Sequence, residues 1–395
     1  MNKKTLRDID VSGKRVLVRV DFNVPMDEAT GVITDDIRIR ASLPTIQYLV
    51  DVRARVILCS HLGRPKNKPE EKYSLRPVAK RLAEIIGKPV GFAADCIGPQ
   101  AEAAVKAMKD GDLLLLENVR FRTGEEKNDP DFARALASLA DAYVDDAFAA
   151  AHRTHASIVG VTRHLPAVAG MLMEKELVTL GGLLRDPPRP FGALFGGAKV
   201  SDKVALMENV LHRLDVLLVG GGMAATFLKT KGYEVGQSLI EADLLDTAAM
   251  MTKKATGNGV RLVLPSDVVI TDEISAKGIA RVVPVDKVPA NMKIADIGPQ
   301  TVKAFGAELK ACRTVFWNGP MGVYELPQFA SGTRSMAELL ACLKAKTIVG
   351  GGSTAEIVTT LGLAGKMAFV STGGGASMSY LSGEKLPGVE ALLDK

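Results

Sequence analysis

The chain has 395 residues, 47% of them hydrophobic and 24% charged, with a formal net charge of +5. A domain usually holds ~100–200 residues, so this length predicts two, and the composition excludes disordered and fibrous classes. The mild positive excess suits phosphate or carboxylate ligands, whereas 5% aromatics and no dense Lys/Arg run argue against a nucleic-acid partner.

Four scattered cysteines, Cys59, Cys96, Cys312 and Cys342, form no CxxC pair, so neither a zinc nor a redox site is expected. Sparse thiols suit a reducing cytoplasm. The first residues, MNKKTLRDID, carry no apolar signal core, and no run is long enough to span a bilayer. A cytoplasmic protein with no membrane partner is the expectation.

In chain order, runs rich in Val, Ile and Leu predict strands over residues 15–22, 55–60, 112–117 and 142–145. A helix over 171–184 and the Pro-rich stretch RDPPRP (185–190) then mark a boundary between two halves, because proline ends helices and stiffens the chain. Further strands are predicted over 191–195, 215–219, 261–264, 314–317, 347–349 and 367–370. Amphipathic helices are predicted over 75–86, 100–108, 204–212, 241–255 and 336–343. Near-continuous apolar strands alternating with helices predict an α/β fold of two doubly wound Rossmann-like domains with parallel sheets, joined by a hinge helix.

Ligands of such sheets bind at the carboxyl ends of the strands, so the residues that follow each strand matter most. In the first half these are Asp21 and Asn23, then His61 and Arg64, then Arg120, then His152 and Arg153, with Arg38 just inside a helix start. Guanidinium groups bind carboxylates and phosphates bidentately. One arginine alone would be read as a surface salt bridge. Arg38, Arg64, Arg120 and Arg153 delivered to one edge predict an anion basin. Asp21 and Asn23 could accept from a substrate hydroxyl, or could serve only as turn and cap residues.

In the second half the strand ends carry glycine: 196–197, 220–222, 319 and 322, 350–352 and 373–375. Glycine lets backbone N–H groups reach phosphate oxygens, although tight packing of helix on strand also favours it. There is no GxxxxGK[ST] and no GxGxxG after the first strand. Lys199 and Lys203 would share one face if a helix started at their loop, and could then hold phosphates.

Taken in order, RVDFNVP, DDIRIRASLPTI, SHLGRP, LLENVRF, AHRTHAS, AGMLMEKEL, GGAKVSDK, GGGMA, DIGP, WNGPMGV, GGGSTA and STGGGAS resemble the phosphoglycerate kinase family over essentially the whole chain. The resemblance implies reversible phosphoryl transfer between 1,3-bisphosphoglycerate with ADP and 3-phosphoglycerate with ATP, in glycolysis or gluconeogenesis. Mg2+ would serve as cofactor, and a monomer would act by closing its two domains. It implies substrate contacts from Asp21, Phe22, Asn23, Arg38, His61, Leu62, Gly63, Arg64, Arg120 and Arg153. Nucleotide contacts are implied for Lys199, Lys203, Asn318, Glu325, Gly350, Gly351, Gly352, Ser353 and Thr354, and catalytic positions for Arg38, Lys199, Gly351 and Gly374. Residues 1–168 would bind phosphoglycerate, 169–188 form the hinge and 189–375 bind nucleotide, while 376–395 return to the first domain.

This chain also departs from the family pattern. Ser353 stands where a metal-reaching Asp is usual, and Ile294 where a Gly usually lines the base pocket. Asp145 replaces a usual Asn, and Ala149-Ala150 replace Gly-Thr. Two rival readings are a nicotinamide oxidoreductase, which would need the missing dinucleotide fingerprint, and a catalytically impaired nucleotide-binding relative marked by Ser353.

Overall fold

A strand buried at every position, such as the leucine run Leu113–Leu116, persists only where helices cover both faces of its sheet. The computed structural model describes residues 2–27, 29–66 and 68–395 and builds this arrangement twice. The first unit comprises the chain up to Val178 together with Lys385–Lys395, and the second is Thr179–Glu384.

The strands of the first unit are β1 (Arg15–Arg19), β2 (Arg55–Cys59), β3 (Val90–Ala93), β4 (Leu113–Leu116), β5 (Ala142–Asp145) and β6 (Ala167–Ala169). They form one parallel sheet in the order β3-β4-β2-β1-β5-β6. Helices α1 (Ile37–Asp51), α2 (Arg76–Ile86), α3 (Pro99–Lys106), α4 (Thr123–Glu126) and α5 (Pro130–Ala137) lie between the strands, and α6 (Met171–Arg185) follows β6. Each helix has a local cause. In α2, Val78, Ala79 and Leu82 recur at helical spacing and are buried, and Gly87 closes the helix in the left-handed region at φ 71°. In α5, the Asp129 carboxylate accepts from the Asp131 and Phe132 amides, and Pro130 takes the first helical position. Val16, Val18 and Val20 pack against Ile39, Ile46 and Leu49 of α1 to fill one face of the sheet. Register pairs Arg19 with Cys59 on one side and with Asp145 on the other, so a row of polar side chains closes the carboxyl edge.

The second unit contains β7 (Phe191–Phe195), β8 (Val216–Val219), β9 (Arg261–Val263), β10 (Asp267–Thr271), β11 (Arg281–Pro284), β12 (Lys293–Ile297), β13 (Thr314–Asn318), β14 (Lys346–Gly350) and β15 (Phe369–Val370). Six of them form a second parallel sheet, β15-β14-β13-β7-β8-β9, while β11-β10-β12 form a small antiparallel sheet. The helices are α7 (Val204–Leu211), α8 (Met223–Thr230), α9 (Leu245–Gly257), α10 (Pro299–Lys310), α11 (Ser331–Ala341), α12 (Gly352–Thr360) and α13 (Gly375–Leu381). A short α14 (Pro387–Glu390) belongs to the segment that completes the first unit.

Every strand expected from an apolar run is present, and both large sheets are parallel and doubly wound. The antiparallel sheet was not anticipated. Its β12 is interrupted by Asp296, whose carboxylate is satisfied by the amides of Ile297 and Gly332, and its β11 is largely exposed and ends in Pro284. Its central strand β10 is buried throughout, and Val268 and Ile270 pack with Ile294 of β12 in one apolar cluster. The conditional helix over Lys199–Lys203 does not form, since α7 begins only at Val204. The two lysines therefore share no helical face.

Candidate active site

The carboxyl edge of the first sheet gathers the basic residues expected there. Arg38, near the start of α1, donates to Asp21 at 2.5 Å. Asp21 also accepts from the Asn23 amide at 3.1 Å, and Asn23 Oδ1 accepts from the Gly63 amide at 2.8 Å. The Gly63 carbonyl accepts from Arg120 at 2.7 Å. Gly63 adopts φ 61°, and a side chain there would collide with the Tyr73 ring. A short hydrogen-bonded circuit thus sets the positions of Asp21, Asn23, Gly63 and Arg120.

Electrostatics shows that these cations share one region. Burial, then Arg19, Arg120, Arg153 and Arg38, hold the His61 pKa well below its ordinary value. Burial and neighbouring Arg153 push Arg120 down to about 10. Arg153 is lowered too, by burial first and then by Arg19 and Arg64, with Asp21 opposing. His155 falls to about 4 through burial and the same arginines. The acids paired with the predicted arginines are Asp21 on Arg38 and Glu126, 3.3 Å from Arg120. Crowded cations with few paired acids make a basin for an anion.

The second unit holds a cavity of about 660 Å³ at the carboxyl ends of its parallel strands. That is the size of a small-molecule site. Gly351–Thr354 at the start of α12 form one wall, Asn318–Pro320 after β13 another, and Gly197, Ala198, Asp202 and Lys203 a third. Leu239, Ile274, Ile294 and Val323 supply an apolar end, with Glu325 on the rim. The first amides of α12 have no intrahelical acceptor and carry the positive end of the helix dipole. Asn318 is fully buried, and its Nδ2 donates to the Gly350 carbonyl at 2.8 Å. Its Oδ1 has no partner among the described residues. Burial lowers the Lys203 pKa, with Asp202 opposing.

The glycine clusters divide into two kinds. A Cβ on Gly196 would collide with the Pro320 carbonyl, and one on Gly319 with the Gly196 carbonyl, so these glycines serve backbone packing between strand-end loops. A Cβ on Gly352 or Gly375 would meet nothing within 4 Å. Packing does not require glycine there, which leaves room for a ligand's phosphates to approach the backbone.

The sequence model of the family described as phosphoglycerate kinase matches residues 6–384. This chain belongs to the phosphoglycerate kinase family. It is 55% identical over 395 residues to the phosphoglycerate kinase of Pelotomaculum thermopropionicum and 53% identical to that of Moorella thermoacetica, covering all of both chains in each case. Among solved structures, phosphoglycerate kinase from Coxiella burnetii matches with a TM-score of 0.88 at 41% identity, over 98% of each chain. The Pyrococcus horikoshii enzyme matches with a TM-score of 0.85 at 33% identity, again over 98% of each chain.

Measured against the family motifs, the structure brings Asp21, Asn23, Arg38, His61, Gly63, Arg120 and Arg153 together, with Arg64 exposed among them. Phe22 and Leu62 are buried in the hydrophobic core, so only their backbones are available to a ligand. Lys203, Asn318, Glu325, Gly351, Gly352, Ser353 and Thr354 line the cavity, and Lys199, Gly350 and Gly374 do not. Ile294 lines it as the sequence position suggests. Sequence reasoning passed over Gln237, Ser238, Leu239, Ile274 and Lys293, which reach the cavity from loops and the small antiparallel sheet. It also passed over Arg19, although a charged residue inside the apolar run RVLVRV was a visible signal.

Proposed function

We propose that the chain catalyses reversible phosphoryl transfer between 1,3-bisphosphoglycerate with ADP and 3-phosphoglycerate with ATP. The first unit binds the phosphoglycerate and the second binds the nucleotide. The observation that carries this reading is the arginine basin, where Arg38, Arg120 and Arg153 crowd around His61 with few acids to neutralise them. A phosphorylated carboxylic acid has the charge and the geometry that such a set selects.

Phosphoryl transfer asks a protein for positioning and charge neutralisation more than for covalent chemistry. Asp21 and Asn23 orient the substrate hydroxyl, Arg64, Arg120 and Arg153 hold its anionic groups, and Arg38 stabilises charge on the group in transit. In the cavity, the Gly351–Thr354 backbone and Lys203 receive the nucleotide phosphates, Glu325 faces the ribose, and the Leu239, Ile274 and Ile294 end takes the base. Lys199 and the Gly374 backbone contact the transferring group. Turnover requires the two substrates to be brought together and water to be excluded from the acyl phosphate.

Among the described residues no group of three or more His, Cys, Asp or Glu could bind a metal, and position 353 offers a hydroxyl. In this reading the metal enters with the magnesium nucleotide, as part of that substrate. The enzyme acts as a cytoplasmic monomer.

The test is a coupled assay of ATP-dependent 3-phosphoglycerate phosphorylation with pure protein and Mg2+. Turnover is expected, and Arg38→Ala should lower kcat about 100- to 1000-fold, the usual effect of removing a donor to developing charge, while ATP affinity holds. No turnover at saturating substrates overturns the reading.

A further inference from the structure

Beneath the basin lies a buried chain of polar groups that ends on His61. Arg19, at the end of β1, is 1% exposed. Its Nε donates to Ser157 Oγ at 2.8 Å and its Nη1 to the Val20 carbonyl at 2.6 Å. Its Nη2 lies 3.2 Å from His61 Nδ1. Ser157 is itself held twice by the fully buried Glu125, through its amide to Oε2 at 2.9 Å and its hydroxyl to Oε1 at 2.6 Å. The Ser157 hydroxyl proton is thereby committed to Glu125, and its lone pair to Arg19.

A guanidinium has only donors and stays protonated in proteins. His61 Nδ1 must therefore accept, which puts the proton of a neutral ring on Nε2. A doubly protonated ring would set N–H against N–H, and burial among four arginines disfavours that charge as well. Nε2 has no hydrogen-bond partner among the described residues. We propose that Arg19, oriented by Ser157 and Glu125, is a positioning residue that locks His61 as the neutral Nε2–H tautomer, a directional donor to an anionic oxygen bound in the arginine basin. The opposite tautomer would present a lone pair to that oxygen. A charged ring would add a cation where cations already crowd. The lock stands on the free protein's own geometry, and the donor role rests on the substrate reading above.

The experiment is ¹⁵N spectroscopy of the five histidines in the ligand-free protein, with His61 assigned by its loss in His61→Gln. The wild-type His61 signals should be those of a single neutral Nε2–H ring from about pH 5.5 to about pH 8, the range in which an unrestrained histidine changes charge. In Arg19→Met the ring should exchange between tautomers or titrate. Its KM for 3-phosphoglycerate should rise about 10- to 100-fold, the loss of one hydrogen bond to a charged group, with the KM for ATP unchanged. Because Arg19→Met strands Glu125, Arg19→Met/Glu125→Gln is measured beside it. An Nδ1–H ring or a titrating ring in the wild type overturns the lock, and so does an unchanged tautomer in either folded variant. A released tautomer with unchanged KM for 3-phosphoglycerate overturns the donor role. Spectra as expected in a protein that turns over no 3-phosphoglycerate would place the failure in the substrate reading instead.

Discussion

Asp145 shows how much one residue can alter without touching the fold. It ends β5 and is fully buried. Its Oδ1 accepts from the Ala147 amide at 2.9 Å, while Oδ2 has no partner among the described residues. Burial pushes its pKa up to about 7, with the Ala147 amide and Arg19 opposing. In the unfolded chain the same carboxyl titrates near ~3.9. Between these values the folded protein keeps a proton that the unfolded chain releases, so stability falls as pH rises across that window and levels off above it. Three pH units correspond to about 4 kcal/mol at most. Asp146, raised to about 8 mainly by burial, extends the same trend. Asp145→Asn should therefore stabilise the protein by a few kcal/mol (~2–4) at pH 8 and by little near pH 4, as measured by urea unfolding at several pH values. An equal gain at every pH would rule out titration as the cause. At this scale the sequence made the arginines legible because they follow strands. It could not show that Arg19 and Glu125 meet through Ser157, since those three come from separate segments and only packing joins them.

At the scale of elements, glycine clusters that look alike in sequence do different work. Gly196 lets the loop after β7 pass against the carbonyl of Pro320, whereas Gly352 opens α12 with free space around it. Gly196→Ala should cost about 3 kcal/mol or more, because a backbone contact must move. Gly352→Ala should leave stability unchanged or slightly higher, since Ala is the better helix former by ~1 kcal/mol, yet weaken nucleotide binding about tenfold or more. Thermal melts with ATP titrations check both, and a Gly196→Ala protein as stable as its parent would refute the packing assignment. The long apolar strands were legible because burial on both faces leaves an unbroken hydrophobic run. The short β6 (AVA), β3 with its Gly91, and β12 with its Asp296 were not, because neighbouring strands and backbone amides complete them.

For the whole molecule, the first unit is built from two distant stretches of chain. The Leu393 amide donates to Ala167 at 3.0 Å, the Lys4 amide to Leu393 at 2.7 Å, and the Gly388 amide to Ala151 at 2.8 Å. Leu386, Val389 and Leu392 are buried. A chain ending at Glu384 should lower the melting transition of the first unit by about 10 °C or more, because it loses these three buried apolar side chains and uncovers the surface they pack on. The single tryptophan, Trp317, is buried in the second unit, so its fluorescence transition should hold while circular dichroism reports the loss. Equal shifts in both signals would refute this. By itself, the sequence determined the class of fold, the two-part division, the family and most of the basin, because strand periodicity and strand-end chemistry are local. Only the tertiary structure decided which glycines pack and which stay open, which loops close the cavity, and that a buried arginine faces His61 Nδ1. Those depend on distances between segments far apart in the chain, which no local pattern encodes.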